Sequence, residues 1–173
     1  MWTVIKQIAR SGWRSEAAPQ TDDSLCLAPG RIQTEILRTL GRALMIRQVD
    51  AGSCNGCELE IQALSNPCYN LEGLGIKFVA SPRHADMLLV TGPVTKHMAS
   101  ALRRTYEAMP EPRLVVAAGD CGCNAGIFDA RYACGCGVAD ILPVDVAITG
   151  CPPPPLELLR AILTAVQHGA AKK

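Results

Sequence analysis

Apolar residues follow two rhythms along this chain. Short runs rich in apolar residues, Ala43 to Val49, Ile76 to Ala80, Met87 to Thr91, Leu114 to Ala118 and Val144 to Ile148, read as extended. Between them lie longer stretches whose apolar positions return every three or four residues. The first rhythm predicts strands and the second helices. Met87 to Thr91 (MLLVT) and Leu114 to Ala118 (LVVAA) show no polar alternation, as expected of strands covered on both faces of a parallel sheet. Helices are predicted from Arg31 to Gly41 (apolar at Ile32, Ile36, Leu37 and Leu40), from about Glu58 to Ser65, and from about Lys96 to Met109, stopping before Pro110. Pro152 to Pro155 opens a last one, with Leu156, Leu159, Ile162, Leu163 and Val166 as its buried stripe; proline costs nothing in a first helical turn, where its missing donor has no partner. Gly122 to Gly137 has neither rhythm and is expected to be looser. Strands alternating with helices at this spacing predict an α/β fold, a flavodoxin-like doubly wound parallel sheet.

Upstream, Trp2 to Arg14 wound at about 100° per residue collects Trp2, Val4, Ile5, Ile8, Ala9, Gly12 and Trp13 on one side, opposite Lys6, Arg10 and Arg14. A basic amphipathic helix of this kind suits a membrane surface or a partner's groove. The small and polar residues from Ser15 to Gly30 read as a tether. Two regions are therefore expected: residues 1–30, an N-terminal amphipathic helix and tether, and residues 31–173, the sheet domain.

Composition narrows the function. With 49% hydrophobic residues in 173, the chain can bury one substantial core. A net charge of +1, well mixed along the sequence, offers no electrostatic footprint for nucleic acid. No run approaches the ~18 apolar residues of a membrane helix. The nine cysteines change the picture more. Without a secretory leader pattern, a reducing compartment is expected, where abundant thiols point to metal or redox chemistry rather than to disulfide staples.

Four of those cysteines share one kind of place. Cys54 and Cys57 stand in DAGSCNGCELE, at the turn from the first strand into a helix; Cys121 follows the fourth strand, and Cys151 the fifth. In open parallel sheets the ligand crevice lies beyond the carboxyl ends of the strands. Three strands thus deliver four thiols to one rim, where Gly52 and Gly56 permit close backbone approach. Four thiolates suit a tetrahedral zinc ion or an iron–sulfur cubane, and spacing alone does not separate them. The Cys151–Pro152 dipeptide leans toward the cluster, since Cys–Pro also closes the ferredoxin run of ligands. Cys121, Cys123, Cys134 and Cys136 spell two CxC pairs that could hold a zinc of their own, but recruiting Cys121 there would leave the other three a thiolate short. The extra thiols are therefore read as neighbours of the site, while Cys26 and Cys68 have no assigned role.

The motifs SCNGCELEI, SPRHADMLLVTGPVT, MPEPR, GDC and PVDVAITGCPP make the chain, from Arg47 onward, resemble the small iron–sulfur subunits of complex I and of energy-converting, membrane-bound [NiFe] hydrogenases such as formate hydrogenlyase. The resemblance implies a flavodoxin-like fold and one [4Fe–4S] cluster on Cys54, Cys57, Cys121 and Cys151. Complex I subunits carry adjacent cysteines at the first position, so CNGC resembles the hydrogenase side. The short stretch beyond Cys151 and the lack of a twin-arginine signal set the chain apart from periplasmic uptake hydrogenases. Thr149 departs from the family, which usually has proline there.

Under this reading the chain is an electron-transfer subunit that makes and breaks no substrate bonds. The implied partners are a large [NiFe]-hydrogenase-like or complex I-like subunit, a ferredoxin-like iron–sulfur subunit, and membrane subunits met through the N-terminal helix. The implied location is the cytoplasm, peripheral on the inner face of the membrane. Two other classes stay open on the residues alone: a structural zinc module, and a thioredoxin-like dithiol enzyme using only Cys54 and Cys57. By resemblance Arg83 lies close to the cluster, where its charge would raise the potential; otherwise it is a solvent-facing arginine before an Asp86 partner. Glu58 and Glu60 sit where carboxylates suit the positive end of a helix dipole, with a proton-coupled role beside the cluster as the alternative.

Overall fold

The computed structural model describes residues 29–128 and 132–170, together with positions 2, 5, 6 and 9. The predicted amphipathic helix and tether lie largely outside the described residues; Trp2, Ile5, Lys6 and Ala9 are helical and exposed. Helix α1 (Pro29–Leu40) leads into strand β1 (Leu44–Asp50), and helix α2 (Gly56–Ala63) follows. Strands β2 (Ile76–Phe78), β3 (Met87–Thr91) and β4 (Val94–Thr95) precede helix α3 (Lys96–Glu107). Strand β5 (Leu114–Ala118), the short helix α4 (Gly119–Asn124), strands β6 (Cys134–Cys136) and β7 (Val146–Ile148), and helix α5 (Pro155–Ala170) complete the chain order.

Five of the strands form one sheet in the order β2-β1-β3-β5-β7, and every pairing is parallel. That order is the flavodoxin-like doubly wound arrangement, with its reversal between β1 and β3. The unbroken apolar strands explain themselves in the core. Along β3, Met87 and Leu89 join Ile36, Ile61, Leu158 and Ile162 on one face, while Leu88 and Val90 join Leu102, Val115 and Val138 on the other. Strand β5 splits likewise, with Leu114, Val116 and Ala118 on the first face and Val115 and Ala117 on the second. Both faces are roofed, so neither can carry polar alternation.

The structure departs from the sequence pattern in two places. Gly122 to Gly137 contains strand β6, which pairs antiparallel with β4 through Thr95↔Cys134 and Val94↔Cys136. The last helix begins at Pro155, and its buried side chains are Leu158, Leu159, Ile162, Ala165 and Val166; Leu156 and Leu163 are only half-buried.

Candidate metal centre

Strand β1 ends at Asp50, whose carboxylate accepts the backbone N–H groups of Gly52 (2.8 Å) and Ser53 (2.7 Å) and folds the chain back on itself. The Ser53 hydroxyl accepts the N–H of Asn55 (3.2 Å), and Asn55 enters α2 in the left-handed conformation, with φ 72°. This compact turn puts Cys54 just before the helix and Cys57 in its first turn. Cys54 is exposed and Cys57 buried. A Cβ at Gly56 would stand 3.6 Å from Cys54 Sγ and 3.9 Å from Pro152, so the Cys54 thiol lies beside the segment that carries Cys151.

The other thiols arrive from β5 and β7. Chain reversal after β5 uses Gly119 at φ +84°, and its missing side chain is what makes room for Cys57: a Cβ there would meet Cys57 Sγ at 2.6 Å and Gly150 O at 3.4 Å. Cys121 is buried, with its sulfur against Gly126, while Cys151 is exposed. Charges at the neighbouring thiols act on Cys57 and Cys121. Burial, then Glu58, then Cys121, Cys54 and Cys151 push the Cys57 thiol up to about 12. Burial, then Cys151, Cys54 and Asp120 raise that of Cys121. Thiolates crowded in this way repel one another until cations balance them. The four are free thiols, so they fit a cysteine-ligated cluster in both kind and number. Among the described residues, no three His, Cys, Asp or Glu side chains are gathered closely enough to hold a single metal ion.

The remaining candidates fall in varied places. Glu58 is 7% exposed, and neither of its carboxylate oxygens has a hydrogen-bond partner, although its charge acts on Cys57. Glu60 is half-buried on α2. Arg83 is exposed on the turn Pro82–His84 and is not among the charges that act on Cys57, Cys121 or Cys123. Asp86 instead pairs with Arg42 (2.5 Å) and accepts the Met45 N–H (3.1 Å). Cys123 is half-buried and donates its thiol to Ile148 O at 3.4 Å; burial and then Asp120 raise it. Cys68 is exposed and Cys26 lies outside the described residues. Sequence reasoning passed over Asp50 and Asp120. Asp50 directly follows an apolar run and Asp120 comes one glycine after another, the one available sign of an acid that shapes a rim loop.

The family model of the NADH ubiquinone oxidoreductase 20 kDa subunit matches residues 54–165. Formate hydrogenlyase subunit 7 of Escherichia coli is 42% identical over 135 residues, covering 78% of this chain and 53% of that one. A subunit of the NADH-quinone oxidoreductase of Desulfovibrio desulfuricans is 47% identical over 116 residues, covering 66% of this chain and 62% of that one. The chain thus spans between half and two thirds of these relatives' lengths. A chain in the structure of the membrane-bound sulfane sulfur reductase, an archaeal respiratory membrane complex, superposes with a TM-score of 0.67 at 30% identity, over 85% of this chain and 78% of that one.

Proposed function

The chain belongs to the family of the NADH ubiquinone oxidoreductase 20 kDa subunit, and from that premise we propose that it holds one [4Fe–4S] cluster on Cys54, Cys57, Cys121 and Cys151 as the electron-transfer subunit of a membrane-associated oxidoreductase complex. The observation that carries this reading is the placement of Cys54, Cys57, Cys121 and Cys151 just beyond the carboxyl ends of three neighbouring parallel strands, with the Cys57 sulfur seated against Gly119 beside the Cys121 segment. The family and the Cys151–Pro152 dipeptide favour a cluster over a zinc ion. The dithiol alternative loses support too, because it uses only Cys54 and Cys57 and gives no part to Cys121 and Cys151, which both act on the Cys57 thiol.

When bound, such a cluster supplies one-electron transfer at a potential set by its surroundings. The chain's own residues shape the loops that would hold it. Asp50 fixes the first loop, and Gly119 leaves space for the Cys57 sulfur. Buried Glu58 adds a negative charge next to Cys57, which favours the oxidised, less negative form of the site.

The CNGC spacing and the formate hydrogenlyase relative favour the energy-converting [NiFe] hydrogenase branch over a quinone-reducing one. In that branch a large subunit covers the cysteine rim, a ferredoxin-like subunit exchanges electrons with it, and residues 1–30 form the segment that meets membrane subunits. The sheet domain of residues 31–173 is then peripheral on the inner face of the membrane. Among the described residues no helix is long and apolar enough to cross a membrane.

The test is iron analysis and EPR of the reduced protein, purified with its partners. About four irons per chain and a cluster signal are expected. Cys151→Ser should lose or convert that signal, whereas Cys26→Ser and Cys68→Ser should leave it intact. The opposite pattern overturns the ligand set.

A further inference from the structure

Asp120 immediately precedes Cys121, and Gly150 immediately precedes Cys151. The two residues exchange hydrogen bonds in both directions: the Asp120 N–H donates to Gly150 O at 2.9 Å, and the Gly150 N–H donates to Asp120 Oδ1 at 2.8 Å. Strands β5 and β7 pair as far as Ala118↔Ile148, so this exchange falls where the same register, carried two residues past the sheet, sets 120 against 150. An acid in the first turn of a helix ordinarily serves the helix's own N–H groups. Here the carboxylate reaches a backbone group 30 positions away instead. The neighbouring thiol of Cys123 adds a third tie between the same two segments by donating to Ile148 O.

We propose that Asp120 is the positioning residue of the centre: its two-way clasp with Gly150 holds Cys121 and Cys151 at one separation, and its fixed negative charge holds the reduction potential down. The inference rests on the cluster reading above. Geometry supplies the first part. Gly150 has no side chain and a φ of +130°, so the loop carrying Cys151 is held in place by its backbone hydrogen bonds and by Pro153, which a Cβ at Gly150 would strike at 2.8 Å. Without the carboxylate, that loop keeps its proline contacts and the backbone bond to residue 120, but the Gly150 N–H loses its tie to the Cys121 segment. Electrostatics supplies the second part. The carboxylate belongs to the residue beside Cys121 and is anchored on the residue beside Cys151, and a negative charge fixed next to a redox centre disfavours adding an electron to it.

Two variants of the full chain, expressed with its partners, separate the parts. Asp120→Ala removes both acceptor and charge; it should retain less than half of the wild-type iron and lose or convert the EPR signal, with unchanged far-UV circular dichroism. Asp120→Asn keeps an oxygen able to accept from Gly150; it should retain its iron, while an EPR-monitored redox titration gives a midpoint shifted to more positive potential. Wild-type iron and signal in Asp120→Ala, or an unshifted midpoint in Asp120→Asn, overturns the proposal. A wild-type protein that itself holds no iron instead sinks the cluster reading, and the role of Asp120 with it.

Discussion

At Gly119 one methyl group decides whether Cys57 keeps its place. Gly119→Ala would put a Cβ 2.6 Å from Cys57 Sγ at a φ of +84°, where an L-residue pays about 1–2 kcal/mol in backbone strain alone. Expected are a denaturant midpoint lowered by that amount or more and an iron content below half of wild type. The thiols predict a pH dependence as well. Cys57 is raised from 9.0 to about 12 before metal is installed, chiefly by burial, so its neutral form is the one the fold favours. Its contribution to stability is therefore complete below pH about 9 and is lost as pH climbs toward about 12. Alkylation of the chelator-stripped protein at pH 8, read by peptide mass, should mark exposed Cys54 and Cys151 first and Cys57 last. At this scale the cysteines were legible because sulfur chemistry narrows their roles. Asp50 and Asp120 were not, because a backbone-capping acid looks in sequence like any other aspartate.

Among the elements, the central strands were readable because they are roofed on both faces, and their boundaries at Met87–Thr91 and Leu114–Ala118 agree with the apolar runs. Ribbon β4–β6 was not readable. Neither Val94–Thr95 nor Cys134–Cys136 is long enough to show a rhythm, and the glycine inside CGC lowers strand preference. Their pairing comes from the fold that brings them together, and Gly137 packs against the Cys123 carbonyl, where a Cβ would come within 2.4 Å. Helix α5 shows a different shortfall. Counting from Pro152 placed Leu156 in the core, but the helix begins at Pro155 and turns Leu158 inward, fully buried. Leu158→Ala should cost about 2–5 kcal/mol in chemical denaturation, and Leu156→Ala clearly less; equal costs would mean that the helix is phased otherwise.

For the whole molecule, the all-parallel order β2-β1-β3-β5-β7 sets the loops that leave its strands along one rim, and Cys54, Cys57, Cys121 and Cys151 follow the ends of β1, β5 and β7 there. Exposed apolar side chains stand in the same loops: Leu59 two residues after Cys57, and Ile127 (81% exposed) and Tyr132 (89%) after Cys121. If a large subunit covers this rim, Ile127→Asp should weaken co-purification of that subunit at least tenfold while leaving iron per chain unchanged. Loss of iron without loss of the partner would place Ile127 in the site rather than at its border. Sequence alone determined the α/β class, the strands and the four thiols at strand ends, because solvent exclusion on both faces and metal-binding side chains leave local marks. Only tertiary structure decided which thiols act on one another, which backbone groups clasp the loops and where the ribbon forms. Those depend on contacts between residues tens of positions apart, and no local pattern encodes a distance through space.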